Sequence, residues 1–267
     1  MTRSWRVRYT TGPLVVKSSD ELPTQLLTTS RFPLRSSLSE QVVEFLAQTI
    51  VGGELQPKDS LPSEAQIAAE FKTSKPTARE TIKRLESVGL VEIAHGKRTT
   101  VNDFEKWDVL APLVADAFRA VGRAESLEKQ YWELRRIVEV AGARYAAQRA
   151  TPEQCQAMLQ IVAETEAEAA VAADVTRIRE LDASFHDLIS RAAGNYVLRR
   201  VSVPVYDFLL WLRRLTLDAV ATVIVQHRGI AEAIARGDVD AAGEAMEIHI
   251  EWSEAINIPS RDPDLVR

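Results

Sequence analysis

The sequence predicts a mainly α protein in two parts: three short helices closed by a β-hairpin, then an all-helical bundle of about six to seven helices. Three observations predict it. Serine caps and glycine stops cut residues 37–102 into short segments. One pair of β-rich runs, VEI and TTV, closes that stretch. Beyond Glu105 the period-two pattern disappears and long stripes of helical spacing take over.

Residues 1–36 are rich in Ser, Thr, Pro and Arg and lack periodicity, which predicts a mobile basic arm. Ser37 with Glu40 three residues on reads as a capping box; Val43, Leu46 and Ile50 recur at helical spacing, and Gly52-Gly53 stops this first helix. Ser63 caps a second helix that buries Ile67, Ala68 and Phe71. Ser74 caps a third, which runs to about Val88 before Gly89 ends it. Val91-Glu92-Ile93 and Thr99-Thr100-Val101 read as strands joined by His95-Gly96-Lys97-Arg98. That order, over residues 37–102, is the order of a winged helix-turn-helix. A linker and connecting helix follow over 103–124. Helical spacing then predicts helices at 105–121, 126–149, 152–171, 174–193, 195–216, 218–236 and 238–257. The domain they build spans 125–258, and 259–267 form a tail.

Bulk composition sets limits. Of the 267 residues 46% are hydrophobic and 27% charged, the balance of a globular protein with room for two cores. No apolar run approaches the roughly 18 residues a membrane helix needs. The single cysteine, Cys155, excludes an internal disulfide and fits a cytoplasmic protein. The net charge of −5 is unevenly spread. Residues 1–36 hold six basic and two acidic side chains, residues 37–102 eight and nine, and the remainder carries −8. An acidic body behind a neutral-to-basic front suits a protein that meets phosphate at one end only.

The third helix carries the features of a DNA reader. Lys75, Arg79 and Lys83 are spaced by four and share a stripe, beside an apolar stripe of Ala78, Ile82 and Leu85. Arg79 can grip guanine O6 and N7 together, and Lys75 suits phosphate. The helix start at Ser74 and Thr77 offers backbone amides to an anion, and Ser63 starts the preceding helix on the same side. In the hairpin tip, Gly96 permits close approach while His95, Lys97 and Arg98 face phosphate or the minor groove. One such unit reads few base pairs, so a two-fold dimer on palindromic double-stranded DNA is expected.

The C-terminal part holds three of the four histidines. Asp182 and His186 stand one helical turn apart. His227 and His249 fall about ten and twelve residues either side of the pivot Arg236-Gly237-Asp238, so in a helix hairpin they reach the same depth. Three imidazoles and a carboxylate suit a borderline divalent ion, zinc first, then nickel or manganese. Arg135 or Arg136 is placed to clamp a carboxylate that completes the coordination. Tyr131, Trp132, Tyr206 and Trp211 are candidates either for the pocket wall or for the core.

Residues 37–102 resemble the N-terminal domain of GntR-family bacterial transcription regulators. The text that carries the resemblance is Leu61-Pro62-Ser63-Glu64, SKPTAR over 74–79, Leu85-Glu86-Ser87-Val88-Gly89-Leu90-Val91 and the wing HGKRTTV. Residues 105–257 resemble the helical ligand-binding domain of the FadR subgroup. There the text is Trp107-Asp108-Val109-Leu110, Glu133-Leu134-Arg135-Arg136, Asp182-Ala183-Ser184-Phe185-His186, Ala193-Gly194-Asn195 and the two distal histidines. The resemblance implies a regulator, usually a repressor, whose effector is a small organic acid, sugar acid or amino acid held against the metal. It selects Arg135 as the effector clamp and adds Asn195 to the pocket. This chain has Ala65 and Lys75 where the family usually has Arg, so the family's operator is not carried over. It has Lys72 where the family usually has Gly, which implies strain if that turn needs positive φ. Two other readings are a pure metal sensor and a metal-dependent hydrolase. Against the hydrolase, no general base stands out and a DNA reader would be superfluous.

Overall fold

The computed structural model describes residues 38–94, 98–171, 175–212 and 217–258, with no account of side chains 211–218. The Ser37 half of the first capping box, the arm and the tail lie outside these residues. The front begins with α1 (Leu38–Gly52), whose inner face buries Val42, Val43, Leu46, Ala47, Ile50 and Val51. Then α2 (Glu64–Glu70) opens on a full capping box: Gln66 N–H donates to Ser63 Oγ, and Ser63 N–H donates to Gln66 Oε1 at 2.9 Å. Such a cap stabilises a helix by about 1 kcal/mol, which a seven-residue helix needs. The turn to α3 (Lys75–Ser87) puts Lys72 at φ 51, the left-handed conformation that Gly adopts without strain. Ala78, Thr81, Ile82 and Leu85 of α3 face the core.

Strands β1 (Val91–Glu92) and β2 (Thr100–Val101) pair antiparallel, Val91 opposite Val101. They are shorter than the expected three-residue runs. A further bridge joins Ser60 to Thr100, and Leu61 N–H donates to Thr99 O at 2.9 Å, so the segment before α2 flanks β2.

The expected continuous helix at 105–121 is instead a 3-10 turn (Phe104–Lys106), a second turn closed by Ala111 N–H to the Asp108 carbonyl at 3.0 Å, and α4 (Pro112–Ala120). Pro112 is the cause. It forces Ala111 to extended geometry (φ −69, ψ 133) and suits only the first turn of a helix. Helix α4 packs chiefly on α1, so it belongs to the front of the molecule.

The body contains α5 (Glu125–Arg149), α6 (Pro152–Val171), α7 (Val175–Ala192), α8 (Tyr196–Leu212), α9 (Leu217–Ala235) and α10 (Val239–Asn257). Helix α5 packs against α7, α8, α9 and α10, and its surrounded middle buries Trp132, Arg135, Val138 and Glu139. The pivot between α9 and α10 is Gly237 at φ 70, and Asp238 caps α10 by accepting from Ala241 N–H at 3.1 Å.

Candidate functional site

Helix periodicity and the α9–α10 hairpin bring three histidines from three helices to one point. One nitrogen from each of His186, His227 and His249 lies within 4.8 Å of the others, and all three rings are buried. Asp182, one turn before His186 on α7, places Oδ1 at 3.6 Å from His227 Nε2 and is itself only 3% exposed. Tyr206 of α8 donates its hydroxyl to the other Asp182 oxygen.

Each ring is held from behind. His227 stacks on Phe185, centroids 4.1 Å apart and planes 12° apart. His249 Nδ1 lies 2.9 Å from Gln226 Oε1, an oxygen that only accepts, so Nδ1 is the donor in that contact. His186 Nδ1 lies 2.5 Å from Glu139 Oε2. These outer partners are absent from the sequence reading. Glu139 follows Arg135 by four and looks there like an ordinary surface helix pair; Gln226 had only its adjacency to His227 to mark it.

Arg135 is fully buried, between Trp132 and Tyr206, with its guanidinium carbon 5.0 and 5.1 Å from the two ring centres. Its Nε donates to Glu139 Oε1 at 2.7 Å and its Nη2 to His186 Nε2 at 3.3 Å. Nη1 meets no hydrogen-bond partner among the described residues, an expensive arrangement for a buried charged group unless a ligand completes it. Burial alone would raise the Glu139 carboxyl; Arg135 and His186 outweigh it and hold it down at about 2. A cavity of 260 Å³ opens beside this cluster, bounded by Glu139, His186, Tyr206, Ser190 and Asp207. The Ser190 hydroxyl is also buried without a partner among the described residues.

Other expected pocket residues go elsewhere. Asn195 is not on the cavity; its side-chain oxygen accepts from Val197 and Leu198 N–H at 3.1 and 3.0 Å and caps α8. That correction follows from the Gly194-Asn195 turn, where an Asn is more useful as a cap than as a wall. Tyr131 is core: it stacks on Phe208 at 3.9 Å and gives its hydroxyl to Val109 O. The Trp211 side chain lies outside the described residues.

At the front, a 700 Å³ groove gathers Ser63, Glu64, Arg79, Lys83 and Arg98, with Lys75 exposed at the start of α3. His95, Gly96 and Lys97 lie outside the described residues. Two details differ from expectation. The Thr77 amide is taken by the Ser74 cap (3.2 Å), whose hydroxyl also meets Thr77 Oγ1 at 2.8 Å. The Arg79 fork, expected to be open to guanine, is held by Glu64 through Nε at 2.8 Å and Nη2 at 3.0 Å. That bond is the main reason the Glu64 carboxyl falls below its ordinary value.

A capped reading helix beside a short wing, joined to a helical body with a mostly apolar cavity that carries a few polar groups, is the architecture of a ligand-responsive DNA-binding regulator. Residues 27–101 match the family described as bacterial regulatory proteins, gntR family, and residues 130–251 match the FCD domain. The chain belongs to the GntR family of transcription regulators, with an FCD-type helical domain. It is a regulator and not an enzyme. It is similar to the HTH-type transcriptional repressor NanR of Cronobacter sakazakii, 29% identical over 226 residues, 82% of this chain and 85% of that protein. NanR of Escherichia coli K12 is 28% identical over 226 residues, 83% and 84% of the two chains. The solved structure of Lar, which controls the expression of the Listeria monocytogenes agr system, shares the fold with a TM-score of 0.55. It is 18% identical, covering 82% of this chain and 96% of that one. Among the described residues no helix is long and apolar enough to cross a membrane.

Proposed function

We propose that this protein is a cytoplasmic repressor that binds a palindromic operator as a homodimer and is released by a small carboxylate-bearing metabolite. The effector sits in the cavity beside His186, against a divalent cation held by Asp182, His186, His227 and His249. The observation that carries the reading is the convergence of three buried imidazoles and a carboxylate beside a buried Arg135 whose Nη1 has no hydrogen-bond partner among the described residues. Three imidazoles with one carboxylate fit zinc best, and nickel or manganese next. When bound, the cation supplies a positive centre for one oxygen of the effector carboxylate. Arg135 supplies charge-assisted donors to the same group, and the apolar walls, Val138, Leu198 and Met246 among them, exclude water from it. The name repressor borne by the relatives supports the sign of regulation.

Helix α8 connects the cavity to the front. Tyr206 touches Asp182; the Asp207 carbonyl accepts from Arg119 of α4 at 3.3 Å; Phe208 stacks on Tyr131, which holds Val109 ahead of α4. Occupying the cavity shifts α8 against these contacts and changes the spacing of two DNA-reading heads.

The test is a thermal-shift screen of small carboxylates on the purified protein with and without EDTA, followed by operator release with each hit. Stabilisation by a carboxylate that EDTA abolishes is the expected outcome. Release by metal alone, with no carboxylate adding to it, would replace this reading with the metal sensor.

A further inference from the structure

We propose that Glu139 is the positioning residue of the cation and effector sites together: one oxygen sets which nitrogen of His186 faces the cation, and the other fixes the Arg135 fork. The inference rests on the metal-assisted reading above and extends it to a residue on α5 that is not itself a ligand.

The geometry argues it through donor and acceptor bookkeeping. Glu139 touches two groups, the Nε–H of Arg135 at 2.7 Å and Nδ1 of His186 at 2.5 Å. A guanidinium has no acceptor, so its contact with His186 Nε2 at 3.3 Å requires that Nε2 carry a lone pair. The His186 proton is therefore on Nδ1, the nitrogen that lies 2.5 Å from Glu139 Oε2 in a close contact without hydrogen-bond alignment. Nε2 is then the nitrogen that a cation would take, in place of its contact with Arg135 Nη2; at His249 it is likewise Nδ1 that faces an acceptor, Gln226 Oε1. Meanwhile the second Glu139 oxygen grips Arg135 by its Nε edge, leaving Nη1 for an effector oxygen. Arg135 is fully buried, and Glu139 and His186 are largely buried with one side on the cavity.

Two donors converge on Glu139, and only a carboxylate offers two acceptors in that shape. Glu139→Gln preserves volume but presents one acceptor and one donor. Arginine cannot reverse its role; histidine can. In Glu139→Gln the His186 proton moves to Nε2, where it blocks the cation.

Two measurements on the full-length protein test this. In the chelator-treated wild type, long-range proton–nitrogen NMR correlations of labelled histidine report the tautomer, and the Nδ1–H form is expected at His186, with Nε2–H in Glu139→Gln. Zinc affinity, measured by competition with a chromophoric chelator, is expected to fall about 10- to 100-fold in Glu139→Gln. Circular dichroism and thermal melting of the zinc-free proteins report whether that variant folds. The wild-type tautomer decides the point even if it does not: Nε2–H at His186 in the wild type overturns the role of Glu139. So does a folded Glu139→Gln that binds zinc within threefold of wild type. Failure of the parent reading looks different: wild type would bind no zinc tightly, or His249→Ala would bind it equally well.

Discussion

Single residues in this chain carry effects of opposite sign. Lys72 holds the left-handed conformation at φ 51 in the turn that leads into the reading helix. Its relief in Lys72→Gly, less the entropy glycine loses on folding, gives an expected stabilisation of about 0.5–1 kcal/mol in urea titration. Gly89 is the converse. It sits at φ 74, and a Cβ there would lie 1.9 Å from the Lys106 carbonyl oxygen. Gly89→Ala is expected to cost about 2–4 kcal/mol by the same titration. Arg79 is prepositioned by Glu64. Arg79→Ala is expected to weaken operator binding about 10- to 100-fold in a mobility shift while zinc content stays unchanged. Loss of zinc along with DNA binding would mean that α3 and the cation site are not separate.

Individual elements differ in how much of them the sequence reveals. The caps at Ser63 and Ser74, the stop at Gly89 and the Gly237 pivot are local chemistry, and each stands where the spacing puts it. The approach of His227 to His249 is legible because one tight turn relates their helices. The break at Pro112 was legible too, but apolar spacing across it masked the signal. The backing of the rings was not: Glu139 and Gln226 differ from solvent-facing residues only in what packs over α5 and α9, and one sequence does not contain that packing directly. The proposed coupling runs through α8. Its neighbour Tyr131 has a phenol pushed up to about 12 by burial, so it stays a donor to Val109 O throughout the physiological range. Arg119 meets the Asp207 carbonyl and lies 5.3 Å from the centre of Phe208. Arg119→Ala is expected to shrink the ratio of operator affinities without and with effector by about 2- to 30-fold. An unchanged ratio would remove α8 from the route.

For the whole molecule, charge and assembly give two further tests. Lys83 is exposed on the groove face of α3. If each of two heads places it on one phosphate, Lys83→Ala lowers the slope of log K against log salt by about 2, and a change of about 1 marks a monomer. Zinc at about 100 times its dissociation constant adds about 2.7 kcal/mol to the folded state, a rise of roughly 5–10 °C in Tm. That rise should vanish with EDTA and in His249→Ala. The seating of α4 on α1 has a practical corollary. Phe118, Val114 and Ala117 roof the back of the first helix, while Arg123 ties its end through the Val51 carbonyl at 2.7 Å. Anyone transplanting this reader onto a foreign sensor should therefore splice beyond Arg123, since a graft severed just after the wing would carry a bare greasy back and clump.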